Sequence, residues 1–224
     1  MLYFTVQGFS FQTSGVRQAL AMGFILLSTE YIKQRKLFKF LIIAFIASLF
    51  HKSALAIIPM YFLAYFKIDF KNFILYVIGG ITLIVFRSPV MVLLSKLIND
   101  DRYLDKTGFE GGAIFVVLMY IITLVVTYMF HEPLEKNDKN NIFFFNMTFL
   151  SLIIYFLRYF INKMERVSFY YQFGFMILLP NVIESIPDKQ TRNLVRGCAL
   201  FLACALFSYR CIRDGAHSYH FFWQ

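Results

Sequence analysis

Charge is what this sequence has least of. Only 16% of its 224 residues are charged, against roughly 25% in an ordinary soluble domain, and 59% are hydrophobic. A water-soluble core cannot absorb that excess. Cysteine is nearly absent: Cys198, Cys204 and Cys211 have neither the even count of a disulfide framework nor zinc-ligand spacing. The first two lie in an apolar run, where buried thiols are expected. No HExxH, GxSxG or Walker loop occurs, which removes the main support for a zinc protease, a serine hydrolase or an ATPase. The adjacent carboxylates Asp100 and Asp101 are poor metal ligands by themselves, so metal-free chemistry without a cofactor is expected. Met1 to Gly15 has no basic start and no apolar core before a small-residue cleavage site, so no cleavable signal peptide is expected. Nor is there a long soluble domain, a low-complexity tract or an internal repeat.

What remains is apolar and aromatic. The 29 Phe and 14 Tyr suit lipid-facing and interfacial surfaces. The fold expected is all-α: a polytopic integral membrane protein of about eight transmembrane helices in one membrane domain spanning residues 1–224. A bilayer core of about 30 Å needs about 20 apolar residues per helix. The candidate spans run Val16 to Ile32, Phe38 to Phe50, Ser53 to Phe66, Phe73 to Leu94, Gly112 to Phe130, Ile142 to Ile161, Phe169 to Ile186 and Leu194 to Tyr209. The second and third are short. They read either as two helices with snorkelling ends or as a re-entrant hairpin turning at His51-Lys52. A single helix through a central His-Lys pair would be costly.

The net charge of +9 carries no basic stripe or aromatic-interleaved motif for nucleic acid, so no nucleic-acid partner is expected. Lys33, Arg35, Lys36 and Lys39 form the first dense basic loop, which the positive-inside rule places in the cytoplasm. Alternation then puts Met1 to Arg17, His51-Lys52, Ser95 to Gly111, Asn162 to Ser168 and the tail from Arg210 on the outward side. Basic residues divide almost evenly between the two sides. Outward cations run against the topological preference, and an anionic ligand on that face is one reason for them.

Four outward features could carry chemistry: Arg17-Gln18, His51-Lys52-Ser53, Asp100-Asp101-Arg102-Tyr103, and Arg166 with Tyr170 and Tyr171. Several arginines, a histidine and tyrosine hydroxyls suit a phosphate or pyrophosphate and the handling of one proton. Each has a plainer reading. Arg17 suits a headgroup anchor, and His51 a helix cap. Arg102 and Tyr103 suit a solvated loop. Arg166 has Lys163 and Arg158 nearby, and Arg158 would share its face if the helix continued between them. Arg87, ahead of Pro89, reads as a packing residue.

Ser14-Gly15-Val16-Arg17-Gln18-Ala19-Leu20-Ala21, then Ala47-Ser48-Leu49-Phe50-His51-Lys52-Ser53-Ala54, together resemble the EpsG family of Wzy-like exopolysaccharide polymerases. That family's pattern is an Arg-Gln pair opening a helix followed by a Phe-His-x-Ser-Ala turn. Asp101-Arg102-Tyr103 looks like its tyrosine-containing loop, and Arg166-Val167-Ser168-Phe169-Tyr170-Tyr171 is similar to its Arg-containing entry to a late helix. Gly15 stands where many relatives have Asn. Relatives usually carry further membrane helices before the Arg-Gln segment, so the resemblance implies that this chain lacks them.

The resemblance also implies a glycosyltransferase-type polymerase on the outer face of the bacterial cytoplasmic membrane, multi-pass, acting on polyprenyl-diphosphate-linked oligosaccharides to build exopolysaccharide or capsule. Catalytic roles would fall to Arg17, His51 and Arg166, and substrate contacts to Gln18, Lys52, Ser53, Arg102, Tyr103 and Tyr170, with no metal. The lipid bilayer, a flippase and a chain-length regulator would be its partners. Other readings are an exporter of lipid-linked glycans, a multi-pass acyltransferase that modifies surface polysaccharide, and an assembly subunit.

Overall fold

The computed structural model describes residues 15–67, 69–86, 88–89, 92–93, 96, 113–159 and 164–214, and they are helical with no strand among them. The first helix, α1 (Val16–Lys33), ends because Arg35 takes a left-handed backbone with φ 56°. Lys36 N donates to Tyr31 O and Arg35 N to Ile32 O, the paired bonds that close a helix on a left-handed residue. Glycine is the usual choice there. The guanidinium of Arg35 instead lies 4.0 Å over the Tyr65 ring.

Packed along α1 is α2 (Leu37–Phe50), which stops at His51 in an extended conformation. A 3₁₀ helix (Lys52–Ile57) and the short α3 (Ile58–Leu63) follow at once. Pro59 sits in the first turn of α3, where an amide would have no intrahelical partner. The break excludes a single helix through His51. Asp69 then caps α4 (Phe70–Val85) by accepting from Asn72 N at 2.8 Å.

Beyond residue 112 come α5 (Ala113–Met129), α6 (His131–Asn137), α7 (Asn140–Leu157), α8 (Met164–Ser168), α9 (Gln172–Ser185) and α10 (Lys189–Asp214). The central element is α7. Phe143 to Phe149 are all buried, so this helix is enclosed rather than amphipathic. It packs on α9, α8, α5 and α4. Helix α9 comes close at Gly174, where an added Cβ would stand 2.7 Å from Met147 Cβ and 2.9 Å from the Phe144 carbonyl oxygen.

Among the described residues α7 is the one helix long and apolar enough to cross a membrane; α2, the stretch Lys52–Leu63, and apolar segments of α4 and α5 are shorter. Large apolar side chains nevertheless cover the outside, with Phe38, Phe201, Leu49 and Val85 each about 70–80% exposed. A surface of that kind marks contact with lipid or another protein.

Four readings of the sequence need correction. Cys198 and Cys204 are exposed, because α10 rests on the body through little more than α9 and both thiols lie off that contact. Helix α7 ends at Leu157, so it does not carry Arg158 toward the face of Arg166; Arg158 turns back to Glu165 at 3.0 Å and to the Tyr155 hydroxyl at 2.9 Å. The expected loop His131 to Asn141 contains a helix, α6. The last helix begins at Lys189 rather than Leu194, because Asp188 caps it by accepting from the Thr191 amide and hydroxyl at 2.7 and 2.6 Å.

Candidate functional site

Three of the four outward features meet at one end of the helical body. The start of α1, the break after α2 and the segment joining α8 to α9 are held together there by buried polar contacts. Consecutive residues on a helix point about 100° apart, so Arg17 and Gln18 cannot face the same way. Arg17 is exposed and Gln18 is buried. The Gln18 side-chain amide donates to the main-chain carbonyl of Arg166 at 2.6 Å, which joins α1 to α8. Among the described residues its own carbonyl oxygen is buried without a hydrogen-bond partner. A buried acceptor left unpaired costs about 1–3 kcal/mol.

The 3₁₀ helix packs against α1, α2 and α8. Its Ser53 hydroxyl lies 3.3 Å from the Tyr170 hydroxyl, and both side chains are buried. Tyr171, the next residue, donates its hydroxyl to the Ala56 carbonyl. Two consecutive tyrosines therefore fasten the same turn, one to each end of it. Tyr171 matters to the geometry as much as Tyr170 does. Its signal in the sequence was the doubled aromatic beside an arginine.

His51 lies at the break itself, outside the helical spans, and is half-buried. Its imidazole is held below the ordinary histidine value, first by burial and second by the positive charge of Arg166. It is therefore neutral at pH 7 and able to accept a proton. Arg166 and Lys52 are exposed at the same end. No ion pair to Arg17 or Arg166 occurs among the described residues, whereas Glu165, next to Arg166, is taken up by Arg158. Exposed guanidinium groups and a neutral imidazole form a surface suited to a polyanion whose reaction releases one proton.

Arg102 and Tyr103 lie outside the described residues, as do Asp100, Asp101, Arg87 and Lys163. Among the described residues no group of three or more His, Cys, Asp or Glu side chains gathers where a metal ion could sit.

A family model described as the EpsG family matches residues 1–223. No curated protein and no solved structure matches the chain.

Proposed function

Because the chain belongs to the EpsG family, we propose that it is a multi-pass membrane polymerase that joins polyprenyl-diphosphate-linked oligosaccharide repeat units into exopolysaccharide or capsule. The reaction takes place on the outer face of the bacterial cytoplasmic membrane. The observation that carries this reading is the convergence of Arg166, neutral His51 and the α1 terminus with Arg17 at one end of the body.

In the step proposed, a hydroxyl oxygen of the acceptor unit forms a bond to the anomeric carbon of the growing chain. The bond from that carbon to the lipid diphosphate breaks, and its electron pair leaves with the diphosphate. Arg17 and Arg166 bind the diphosphate oxygens through charge-assisted hydrogen bonds that strengthen as the leaving group gains charge. His51 takes the hydroxyl proton, which requires the neutral imidazole that burial and Arg166 maintain. Lys52 and Arg102 add positive field. Ser53 and Tyr170 support the sugar-facing wall through the buried pair they form, and Tyr103 is proposed as a further substrate contact. A flippase that delivers the repeat unit and a chain-length regulator are the partners this chemistry calls for.

The apolar exterior supports the membrane setting. The short α2 and the still shorter 52–63 stretch fit a hairpin that enters the membrane and returns. The test is complementation of a polymerase-deficient strain with the parent chain and with His51→Ala at matched expression, reading polysaccharide length on a gel. Long polymer with the parent and none with the variant supports the reading. Export of lipid-linked units without lengthening would overturn it in favour of a transporter.

A further inference from the structure

Gln18 is nine-tenths or more buried, yet only half of its carboxamide is used. The amide nitrogen reaches across 148 residues of sequence to the Arg166 carbonyl oxygen at 2.6 Å, and Gln18 Oε1 has no hydrogen-bond partner among the described residues. Turning the amide over would press two acceptor oxygens together at that distance, so the orientation is fixed by the contact. A methionine would fill the same space without a buried unpaired acceptor. Packing alone gives this position no reason to be glutamine.

Arg166 sits on a helix of five residues, α8, too short to hold its own geometry. Ser168 bonds within it, donating to Glu165 O at 2.7 Å, and Ser151 on α7 reaches Ser168 O at 3.3 Å. Those contacts fix the far end of the turn. The carbonyl of Arg166 is tied by Gln18.

We infer that Gln18 is a positioning residue: by clamping the main chain of Arg166 it holds the Arg166 guanidinium toward His51 and the outward surface, and it does not itself bind substrate. The catalytic consequence rests on the polymerase reading, but the clamp does not. The charged groups at this end are Arg166 on α8, Lys52 beside His51 on the 3₁₀ helix, and Arg17 opening α1. The positive charge of Arg166 acts on the imidazole.

The experiment is diethyl pyrocarbonate modification of the full chain in lipid nanodiscs across pH, with the extent at His51 read by peptide mass spectrometry apart from His131, His217 and His220. Only the neutral ring reacts, so the profile reports His51 protonation whether or not polymer is made. Gln18→Met is expected to move the midpoint upward by about 0.3–1 pH unit, in the direction of Arg166→Gln. The double variant is expected to move no further than Arg166→Gln alone. Ser28→Ala, which removes a buried bond local to α1, is expected to leave the midpoint in place.

Should Gln18→Met fail to fold, Gln18→Asn withdraws the amide by one methylene and is expected to give a smaller shift of the same sign. A Gln18 variant that is folded and superimposes on the parent profile would overturn the inference. Under the polymerase reading Gln18→Met also slows chain growth by about 10- to 100-fold. A shifted His51 profile with polymer synthesis intact would uphold the clamp and remove Arg166 from catalysis.

Discussion

The two ends of the helical body use the same kinds of side chain in opposite ways. At the end where α1 finishes, the buried amides and the cations that close α1 are engaged. Asn146 is wholly buried and uses both halves of its carboxamide: it accepts from the Tyr76 hydroxyl at 2.9 Å and donates to Phe66 O at 2.8 Å and Ala64 O at 3.3 Å. Asn141 donates to Leu134 O at 3.0 Å and accepts from Asn181 at 2.8 Å. Lys33 and Arg35 lie over the rings of Phe144 and Tyr65, and Tyr65 donates to Lys33 O at 3.2 Å. At the other end Gln18 is half satisfied, Arg17 and Arg166 stand exposed, and His51 is kept uncharged. Residue type alone does not distinguish a fastening from a reactive group; what its partners leave unsatisfied does.

The comparison breaks most visibly if activity survives at the open end. His51→Ala and Arg166→Gln are each expected to lower polymer formation by about 10²-fold or more, and Arg166→Lys by about tenfold, since an ammonium cannot form the paired bonds of a guanidinium. Lys33→Gln at the closed end is expected to change it less than about twofold. Initial rates in membrane vesicles at equal protein decide this. The acid limb of the rate against pH should lie below the ordinary histidine value, because the group acts when neutral and its proton is held weakly. A limb at or above that value would count against His51.

Stability provides the next contrasts. Gly174→Ala is expected to cost about 3 kcal/mol, since its methyl would meet the Met147 Cβ and the Phe144 main chain, neither of which swings aside. Gly23→Ala meets nothing within 4 Å and should stabilise by up to about 1 kcal/mol through helix propensity. Thermal unfolding in detergent compares the two. Asn146→Leu should cost about 2 kcal/mol by orphaning two carbonyls and a hydroxyl, with activity per folded molecule unchanged. The smallest effect is expected for Arg35→Gly. It relieves a left-handed backbone but gives up the contact over Tyr65, and the two nearly cancel, to within about 0.5 kcal/mol.

Much of this was legible in advance. Apolar runs located α1, α2, α5, α7 and α9 to within a few residues, whereas the run expected to continue to Leu94 stops as α4 at Val85; the His51-Lys52 pair marked the break because such a polar pair does not sit at the centre of an apolar helix. The end of α7 at Leu157 was not legible. Apolarity continues through Tyr159 and Phe160 in the sequence, whereas the helix ends at Leu157 and Arg158 pairs with Glu165, a contact periodicity does not reveal. The start of α10 could have been read from Asp188 three residues before Thr191, a capping pattern hidden by a search for apolar runs. Of the candidate site, the residue types were visible. That Gln18 is the one of the Arg17-Gln18 pair turned inward, and that it meets Arg166, depends on helices far apart in the chain, which periodicity cannot relate.

The tie from Gln18 to Arg166 also sets an order of assembly. Its partners are made 148 residues apart, so at about 5–20 residues per second one waits roughly 7–30 s for the other to leave the ribosome. Every helix before α8 is synthesised while the end that holds His51 and Arg166 is still incomplete. A nascent chain can therefore begin to pack before that end is closed, and the tie forms only as the last third of the protein is delivered.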